Sequence, residues 1–304
     1  MLRIIERRWI SYVISGLLAV AAIVSLASWG LRYGIDFTGG SLLEVRFTEA
    51  RPSVEKVQEV LKPTDVGSIG IQPVGTDGFL LRFRDVDEIK HQQMVRQLGE
   101  AGAGKPEEQR FESVGPTIGG ELQRRALWAI VVALIFIVSY IAWAFRKVSH
   151  PIASWKYGVA AVIALGHDVL ILLGTFSLLG HFRGVEVDAL FVSAVLTVLG
   201  FSVHDTIVVF DRIRENLFRH GSSDFVTVVN LSVNETIVRS INTSFTTLLV
   251  LTALFFFGGD SIHYFAFALM VGITVGTYSS IFIASTVVVD WNRLSKLSPA
   301  GKRR

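Results

Sequence analysis

Six long apolar stretches limit what this chain can fold into. Each has about 20 residues or more, the length that an α-helix needs to cross the hydrocarbon core of a bilayer. They are residues 10–31, 126–145, 157–179, 189–210, 240–259 and 261–289. Charged residues make up 18% of the chain, against about 25% in soluble domains. The sequence therefore predicts a polytopic membrane protein with six transmembrane helices.

The short loops between these stretches differ strongly in charge from one side to the other. Arg183 is the single basic residue in the short loops of one side, whereas fourteen lie on the other side. Because Lys and Arg concentrate in cytoplasmic loops, we expect both termini to be cytoplasmic. The fourteen are Arg3, Arg7, Arg8, Arg146, Lys147, Lys156, Arg212, Arg214, Arg219, Arg293, Lys296, Lys302, Arg303 and Arg304.

The basic start of the chain also fits a signal peptide. Its apolar run of 22 residues exceeds the usual length of about 7–15, and no small-x-small cleavage site follows it. We therefore interpret it as a retained helix.

A polar segment of mixed charge, residues 33–125, separates the first two apolar stretches and is expected outside the cell membrane. Alternating and amphipathic patterns within it predict strands and helices in the order βαββαβ, which is that of the split ferredoxin-like fold. In order, these are a strand at 42–47, a helix capped by Ser53 and ended by Pro63, strands at 69–71 and 79–83 joined by the turn Thr76-Asp77-Gly78, a helix marked by Ile89, Met94, Val95 and Leu98, and a weaker strand at 110–114.

The predicted fold class is thus a membrane α-helical bundle of six transmembrane helices with one external α+β ferredoxin-like domain between helices 1 and 2. We divide the chain into helix 1 (1–32), the external domain (33–125), a five-helix bundle (126–290) and a basic cytoplasmic tail (291–304). Such a fold does not by itself fix a function.

Glycine-rich stretches flank the external segment at 33–40 and 114–120. The first contains Gly34, Asp36, Gly39 and Gly40, and glycine permits the positive φ angles of tight turns. We expect turns where the chain leaves the bilayer. No Lys-Ser/Thr pair follows the glycines, so a phosphate-binding loop is not indicated. In the last apolar stretch, Gly272 and Gly276 either form a surface for close helix contact or are merely tolerated.

Asp205 lies inside the fourth apolar stretch, where a carboxylate is costly unless it is paired, protonated or wetted. Arg239 opens the fifth stretch on the same side and at similar depth, whereas Asp168 lies nearer the midplane of the third. If movement separates Asp205 from Arg239, Asp205 can take up a proton from one side and release it to the other. Alternatively the pair only holds two helices in register, although buried ion pairs add little stability.

Neighbouring polar residues leave further alternatives open. His204 points about 100° away from Asp205 on a helix, so it is either a relay member or an interfacial histidine. Residues 211–216 continue the helix as a polar segment, in which Glu215 can pair with Arg219 at i,i+4. We interpret this segment as an anchor at lipid headgroups, with docking of a cytoplasmic partner as the alternative.

The residues give little support for an enzymatic function. The sequence contains no Gly-x-Ser-x-Gly, His-Glu-x-x-His or P-loop motif. His167 and Asp168 are too few for a dedicated metal site, and an intramembrane aspartyl protease would need Asp168 and Asp205 to face each other. There is no cysteine, which excludes disulfides and thiolate chemistry, and the short basic clusters do not indicate nucleic acid. We predict no catalytic residues, no metal and no cofactor.

Several motifs together resemble the SecD/SecF family of bacterial protein-export subunits, over nearly the whole chain. They are YGIDFTGG at 33–40, VGPTIGGEL at 114–122, GHD at 166–168, GFSVHDTIVVFDRIREN at 200–216, RSINTSFTT at 239–247 and FGG at 257–259.

This resemblance implies membership of the resistance-nodulation-division superfamily, with protons as the coupling ion. It implies a multi-pass location in the bacterial cytoplasmic (inner) membrane. The implied partners are SecD, the SecYEG channel, a translocating polypeptide and membrane lipid. The residues that the family uses for proton passage map onto Asp205 and Arg239. The family usually has Asn where this chain has His204, a titratable residue.

Two other functions remain open from the sequence. The first is half of a proton-driven small-solute or lipid exporter, which would more often carry larger external domains and lack the motif at 33–40. The second is a passive scaffold of the translocon, in which Asp205 has no role.

Overall fold

The computed structural model describes residues 2–48, 51–100, 106–144, 153–219 and 224–297. Its helices and strands are α1 (Arg8–Trp29), α2 (Ile35–Thr38), β1 (Gly40–Phe47), α3 (Val54–Leu61), β2 (Gly70–Val74), β3 (Gly78–Phe83), α4 (Glu88–Glu100), β4 (Pro106–Val114), α5 (Pro116–Ala144), α6 (Ser154–Arg183), α7 (Ala189–Arg219), α8 (Phe225–Phe257), α9 (Asp260–Ser279) and α10 (Ser285–Leu297). A π-helical turn, Ser280–Ala284, joins α9 to α10.

Six helices within the described ranges are long and apolar enough to cross a membrane. They are α1, α5, α6, α7, α8 and a last span made of α9, the π-helical turn and α10. The predicted number of membrane helices is confirmed. The observed helices run past the apolar stretches at several ends, because polar residues continue the helical turns there.

The chain forms two compact units, residues 33–127 and the remainder (1–32 with 128–304). The smaller unit is α+β. Its four strands form one antiparallel sheet in the order β2-β3-β1-β4. Helix α3 follows β1 and α4 follows β3, so the predicted βαββαβ order is present in the structure.

The core of the α+β unit follows from the alternation read in the sequence. Leu43 of β1 lies opposite Leu81 of β3 and Phe111 of β4. These strands pack against Val57 and Leu61 of α3 and against two residues of α4. Ser53 caps α3 as predicted, accepting a hydrogen bond from the backbone N–H of Lys56 at 3.3 Å.

Two local details in this unit differ from the sequence prediction. Strand β4 begins at Pro106, four residues earlier than the expected 110–114, because pairing with β1 extends the strand through a charged stretch without apolar alternation. Ile89 is exposed, and His91 occupies the inner face of α4 beside Met94 and Leu98. Since α4 begins at Glu88, its inward positions are 91, 94 and 98, and Ile89 falls outside that spacing.

The larger unit is centred on α6, α7 and the last span. In each of these, half or more of an apolar stretch of 18 residues is buried. Small residues permit close packing between these helices. A Cβ atom on Gly272 would lie 2.2 Å from Cγ2 of Val198, and one on Gly276 would lie 2.9 Å from Cβ of Ser202. Of the two interpretations of these glycines, the structure supports close helix contact.

Helices α7 and α8 are also joined by polar contacts at one end. Arg212 binds Glu235 at 2.7 Å, and Asn216 donates to Ser232 at 3.0 Å. The predicted pair of Glu215 and Arg219 is present at 2.6 Å. The segment expected to anchor at headgroups thus also fixes the end of α7 to α8.

Part of the basic charge that predicted the topology lies outside the described residues. The basic residues concerned are Arg146 and Lys147, before α6, and those at 298–304 of the predicted tail, after α10.

Candidate functional site

Asp205 is a buried carboxyl group in the middle of the helical unit. It lies on α7 with 3% of its surface exposed, on a face that also buries Val209 and Ser202. The hydroxyl groups of Ser240 on α8 and Thr277 on α9 face it. Its environment is therefore built by three helices.

Asp205 is incompletely satisfied in this environment. Among the described residues, its Oδ2 atom and the Oγ atom of Ser240 have no hydrogen-bond partner. Leaving a buried polar group unpaired is costly, and more so for a charge. A carboxyl group in such a place is suited to binding a proton or a water molecule, each of which would relieve that cost.

Arg239 and His204 lie on the exposed side of the same helices. Both interact electrostatically with Asp205, and both side chains are exposed. Oδ2 of Asp205 has no hydrogen-bond partner in the described part of the chain, so Arg239 does not donate to that atom. The structure thus brings the predicted acid and base near each other, without a hydrogen bond from Arg239 to Oδ2.

Asp168 differs sharply from Asp205. It is fully buried on α6, and its Oδ2 atom accepts hydrogen bonds from Ser202 at 2.6 Å and Ser279 at 2.8 Å. The Nδ1 atom of His167 lies 3.1 Å from its Oδ1 atom. Its two oxygens are therefore both partnered.

The hydroxyl residues of this centre escaped the sequence analysis. Serine and threonine are common in membrane helices, where they bond the carbonyl of the preceding turn, so their presence alone carries no signal. Their spacing is the signal that could have identified them. Ser240 and Ser244 lie one turn apart, and Thr277, Ser279 and Ser280 are nearly consecutive. All five are buried.

The glycine motifs that flank the α+β unit contact each other. Gly39 has φ of 72°, and a Cβ atom on it would lie 2.7 Å from Cα of Pro116. A Cβ atom on Gly119 would lie 2.8 Å from the Gly39 nitrogen. The two stretches therefore form one backbone junction between the start of β1 and the start of α5.

Residues 35–38 of the first stretch form the short helix α2 rather than a simple turn. Gly34 precedes it, Asp36 lies in its first turn, and Gly39 and Gly40 follow with positive φ. The Thr38 hydroxyl donates to the Gly34 carbonyl at 3.0 Å. The hydroxyl thus bonds the carbonyl of the residue that precedes α2.

Among the described residues, no group of three or more His, Cys, Asp or Glu side chains is placed to hold a metal ion. The chemistry that this centre offers is that of a buried carboxyl group surrounded by hydroxyl groups, with a guanidinium and an imidazole group nearby.

Fold and site together define a multi-pass membrane protein with an inserted α+β unit and a buried acidic centre between its helices. The family model described as "Protein export membrane protein SecD/SecF, C-terminal" matches residues 94–294, and that described as "SecD/SecF GG Motif" matches residues 24–50. The chain therefore belongs to the SecD/SecF family of protein-export membrane proteins.

Similar proteins agree with this assignment. The protein translocase subunit SecF of Thermobaculum terrenum is 44% identical over 96% of this chain and 94% of its own length. The SecF of Desulfurispirillum indicum is 41% identical over 91% of this chain and 88% of its own length.

Solved structures extend the similarity to three dimensions. SecDF from Thermus thermophilus, described as a translocon-associated membrane protein, has a TM-score of 0.81 and 34% identity over 95% of this chain. A second structure, SecDF in super-membrane-facing form, has a TM-score of 0.70 and 35% identity over 98% of this chain. This chain covers 38% and 40% of those two longer chains.

Proposed function

We propose that this chain is an accessory subunit of the Sec protein translocase that works with SecD and couples the proton gradient to late steps of protein export. Its family and its SecF relatives support a role in export. They favour protein over the small solutes or lipids that the sequence left open. The description of SecDF as translocon-associated supports the SecYEG channel as a further partner.

The burial of Asp205 is the observation that supports coupling to the proton gradient. A buried carboxyl group with an unpartnered oxygen gains stability when a proton neutralises it, and it is attracted to Arg239 when it is charged. Alternation between these two states moves a proton when the two states open to opposite sides of the membrane. One charge crossing 100 mV releases about 2.3 kcal/mol. Asp168 and His204 are the flanking polar groups of this pathway.

The exposed face of α8 supports a partner within the membrane. Arg239 lies there with Thr243 and Thr246, which recur at helical spacing. A cation facing lipid tails is costly, so we propose that SecD helices cover this face. Lipid surrounds the remaining apolar surface, and the coupling ion is the proton, with no other cofactor and no catalytic activity.

The proposed location is the bacterial cytoplasmic membrane, with both termini cytoplasmic and the α+β unit outside. The charge difference between the short loops supports this orientation. The α+β unit would meet the translocating polypeptide and would move as Asp205 binds and releases its proton.

Export in inverted membrane vesicles tests the proposal. The vesicles are depleted of the native protein and receive SecD with either wild type or Asp205→Asn, and translocation of a secretory precursor is followed with and without a proton gradient. We expect Asp205→Asn to assemble with SecD and to lose the gradient-dependent part of translocation.

Asp211→Asn is the matched control. Asp211 is on the same helix but exposed, and it lies 3.5 Å from Arg214, so its replacement should leave gradient stimulation intact. If Asp205→Asn matches wild type under both conditions, Asp205 is not a coupling residue and the scaffold interpretation replaces the proposal.

A further inference from the structure

The two buried acids of the membrane helices contact a single turn of the last span. Ser279 donates its hydroxyl hydrogen to Asp168 at 2.8 Å, and Thr277, two residues earlier, faces Asp205. Asp168 comes from α6 and Asp205 from α7. One turn of the last span therefore meets both carboxyl groups.

The same turn is tied to α7 immediately around Asp205. Ser280 donates to the backbone carbonyl of Ser202 at 3.1 Å and shares a hydrogen bond of 2.8 Å with Thr206. Ser202 in turn donates to Asp168 at 2.6 Å. Ser202 and Thr206, which flank Asp205 on α7, are thus bound by Asp168 and by the turn of the last span that Asp168 contacts.

Little free space separates these helices. A Cβ atom on Gly276 would lie 2.9 Å from Cβ of Ser202, so the turn and α7 are in direct contact. The π-helical turn begins at Ser280, which itself bonds α7. Such turns interrupt the regular hydrogen-bond ladder and recur at functional sites.

We propose that Asp168 is a positioning residue for Asp205. Through Ser202 and Ser279, Asp168 fixes the turn at 276–280 against α7 and so sets the hydroxyl environment in which Asp205 exchanges its proton. The inference rests on the proposed function, in which Asp205 is the proton carrier. It gives Asp168 a role different from carrying the proton itself, because both of its oxygens are already partnered.

Other titratable groups face this network. His167 lies beside Asp168 on α6, and its ring is 6.4 Å from that of Tyr278 on the last span. His204 and Arg239 interact with Asp205 from α7 and α8. The variants that test the inference leave these four side chains in place.

The test measures gradient-stimulated translocation as a function of pH, in vesicles that contain the full chain with SecD. Ser279→Ala and Asp168→Asn remove or weaken the link between Asp168 and the turn. We expect the pH of half-maximal stimulation to move by about half a unit or more in both variants. The free energy of one hydrogen bond corresponds to a pH shift of that order. Ser279→Thr keeps a hydroxyl group and should return the profile toward wild type.

Ser285→Ala is the matched control. Ser285 is fully buried on the same span and donates to the Ile281 carbonyl of its own helix, so its replacement should leave the pH profile unchanged.

Several outcomes would overturn the inference. If Ser279→Ala assembles and keeps the wild-type profile, Asp168 does not position Asp205 through Ser279. A loss of assembled protein with an unchanged midpoint would indicate a purely structural contact. If Asp168→Asn fails to assemble, Ser279→Ala and its rescue by Ser279→Thr decide the question. Retained stimulation in Asp205→Asn would instead reject the proposed function on which the inference rests.

Discussion

Two aspartates only 37 positions apart in the chain have opposite surroundings. Asp168 accepts hydrogen bonds from two serines and lies beside an imidazole, whereas Asp205 keeps an oxygen without a partner in the described structure. We propose that this difference suits Asp168 to a structural role and Asp205 to proton exchange. The sequence singled out both acids, since each interrupts an apolar run. It did not give the surroundings of either acid, because the donors come from distant helices.

At the residue scale, Gly119 and Gly120 give a matched pair of substitutions in α5. A Cβ atom on Gly119 would meet backbone atoms of Gly39 and Phe37, whereas Gly120 has open space. We expect Gly119→Ala to lower the free energy of unfolding by about 1–3 kcal/mol through overpacking. Gly120→Ala should be neutral or should stabilise by up to about 1 kcal/mol, since alanine favours helix.

Thermal denaturation of the purified chain in detergent measures both variants. Equal stabilities for the two alanine variants would show that the contact between the glycine-rich stretches is not tight.

At the element scale, the contact between α7 and α9 depends on small residues that face larger ones. Gly272 packs on Val198, and Gly276 packs on Ser202. The sequence left open whether these glycines form a helix contact or are merely tolerated, and it did not reveal the partner helix. Spacing along one helix identifies a face, whereas the element that covers the face is set by tertiary packing.

Gly272→Ala should therefore destabilise the protein by about 1–3 kcal/mol. Because the clash is with the Val198 side chain, Val198→Ala in the same protein should recover part of that loss. A double-mutant cycle on denaturation in detergent measures the coupling. A coupling energy near zero would contradict the contact.

The first turn of α4 gives a prediction about pH. A hydrogen bond from Gln92 at 2.7 Å and a contact with His91 hold the pKa of Glu88 below its ordinary value in the folded protein. Its stabilising contribution is thus fully present above the ordinary pKa of a glutamate and is lost as the pH falls through the lowered value.

The melting temperatures of wild type and Glu88→Gln should consequently differ most above the ordinary pKa of a glutamate and should converge as the pH falls below the lowered pKa of Glu88. A difference that is independent of pH would show that Glu88 contributes through its shape rather than its charge.

Several elements could be predicted from the sequence, and others could not. The length of the apolar stretches gave all six membrane helices. Period-two and helical alternation gave three strands and both helices of the α+β unit, because burial on one face determines these patterns. It did not give the first half of β4, where the residues are charged and pairing with β1 decides the conformation. Nor did it give the π-helical turn at Ser280–Ala284, which depends on contacts between helices.

At the scale of the whole molecule, burial is uneven among the membrane helices. In an apolar stretch of 18 residues from each helix, 6% is buried in α5 and 17% in α8, against 61% in the last span. On α8 the exposed residues include Arg239, which favours a protein partner over lipid on that face. The sequence predicted the spans from hydropathy, but hydropathy does not distinguish a face that meets lipid from one that meets another subunit.

Because the chain has no cysteine, single cysteines can map this face. A cysteine at Thr243, on the exposed side of α8, should react with a maleimide in the chain alone and should be protected when SecD is present. A cysteine at exposed Phe136 on α5 serves as the comparison. Equal labelling at Thr243 with and without SecD would contradict the proposed interface.

The most direct test of the central claim is proton passage through proteoliposomes that contain this chain together with SecD. A pH-sensitive dye inside the liposomes follows the flux after a proton gradient is imposed, for wild type, Asp205→Asn and Asp211→Asn. The account predicts a flux in wild type and Asp211→Asn that falls to the level of empty liposomes in Asp205→Asn. An undiminished flux in an assembled Asp205→Asn complex would contradict it.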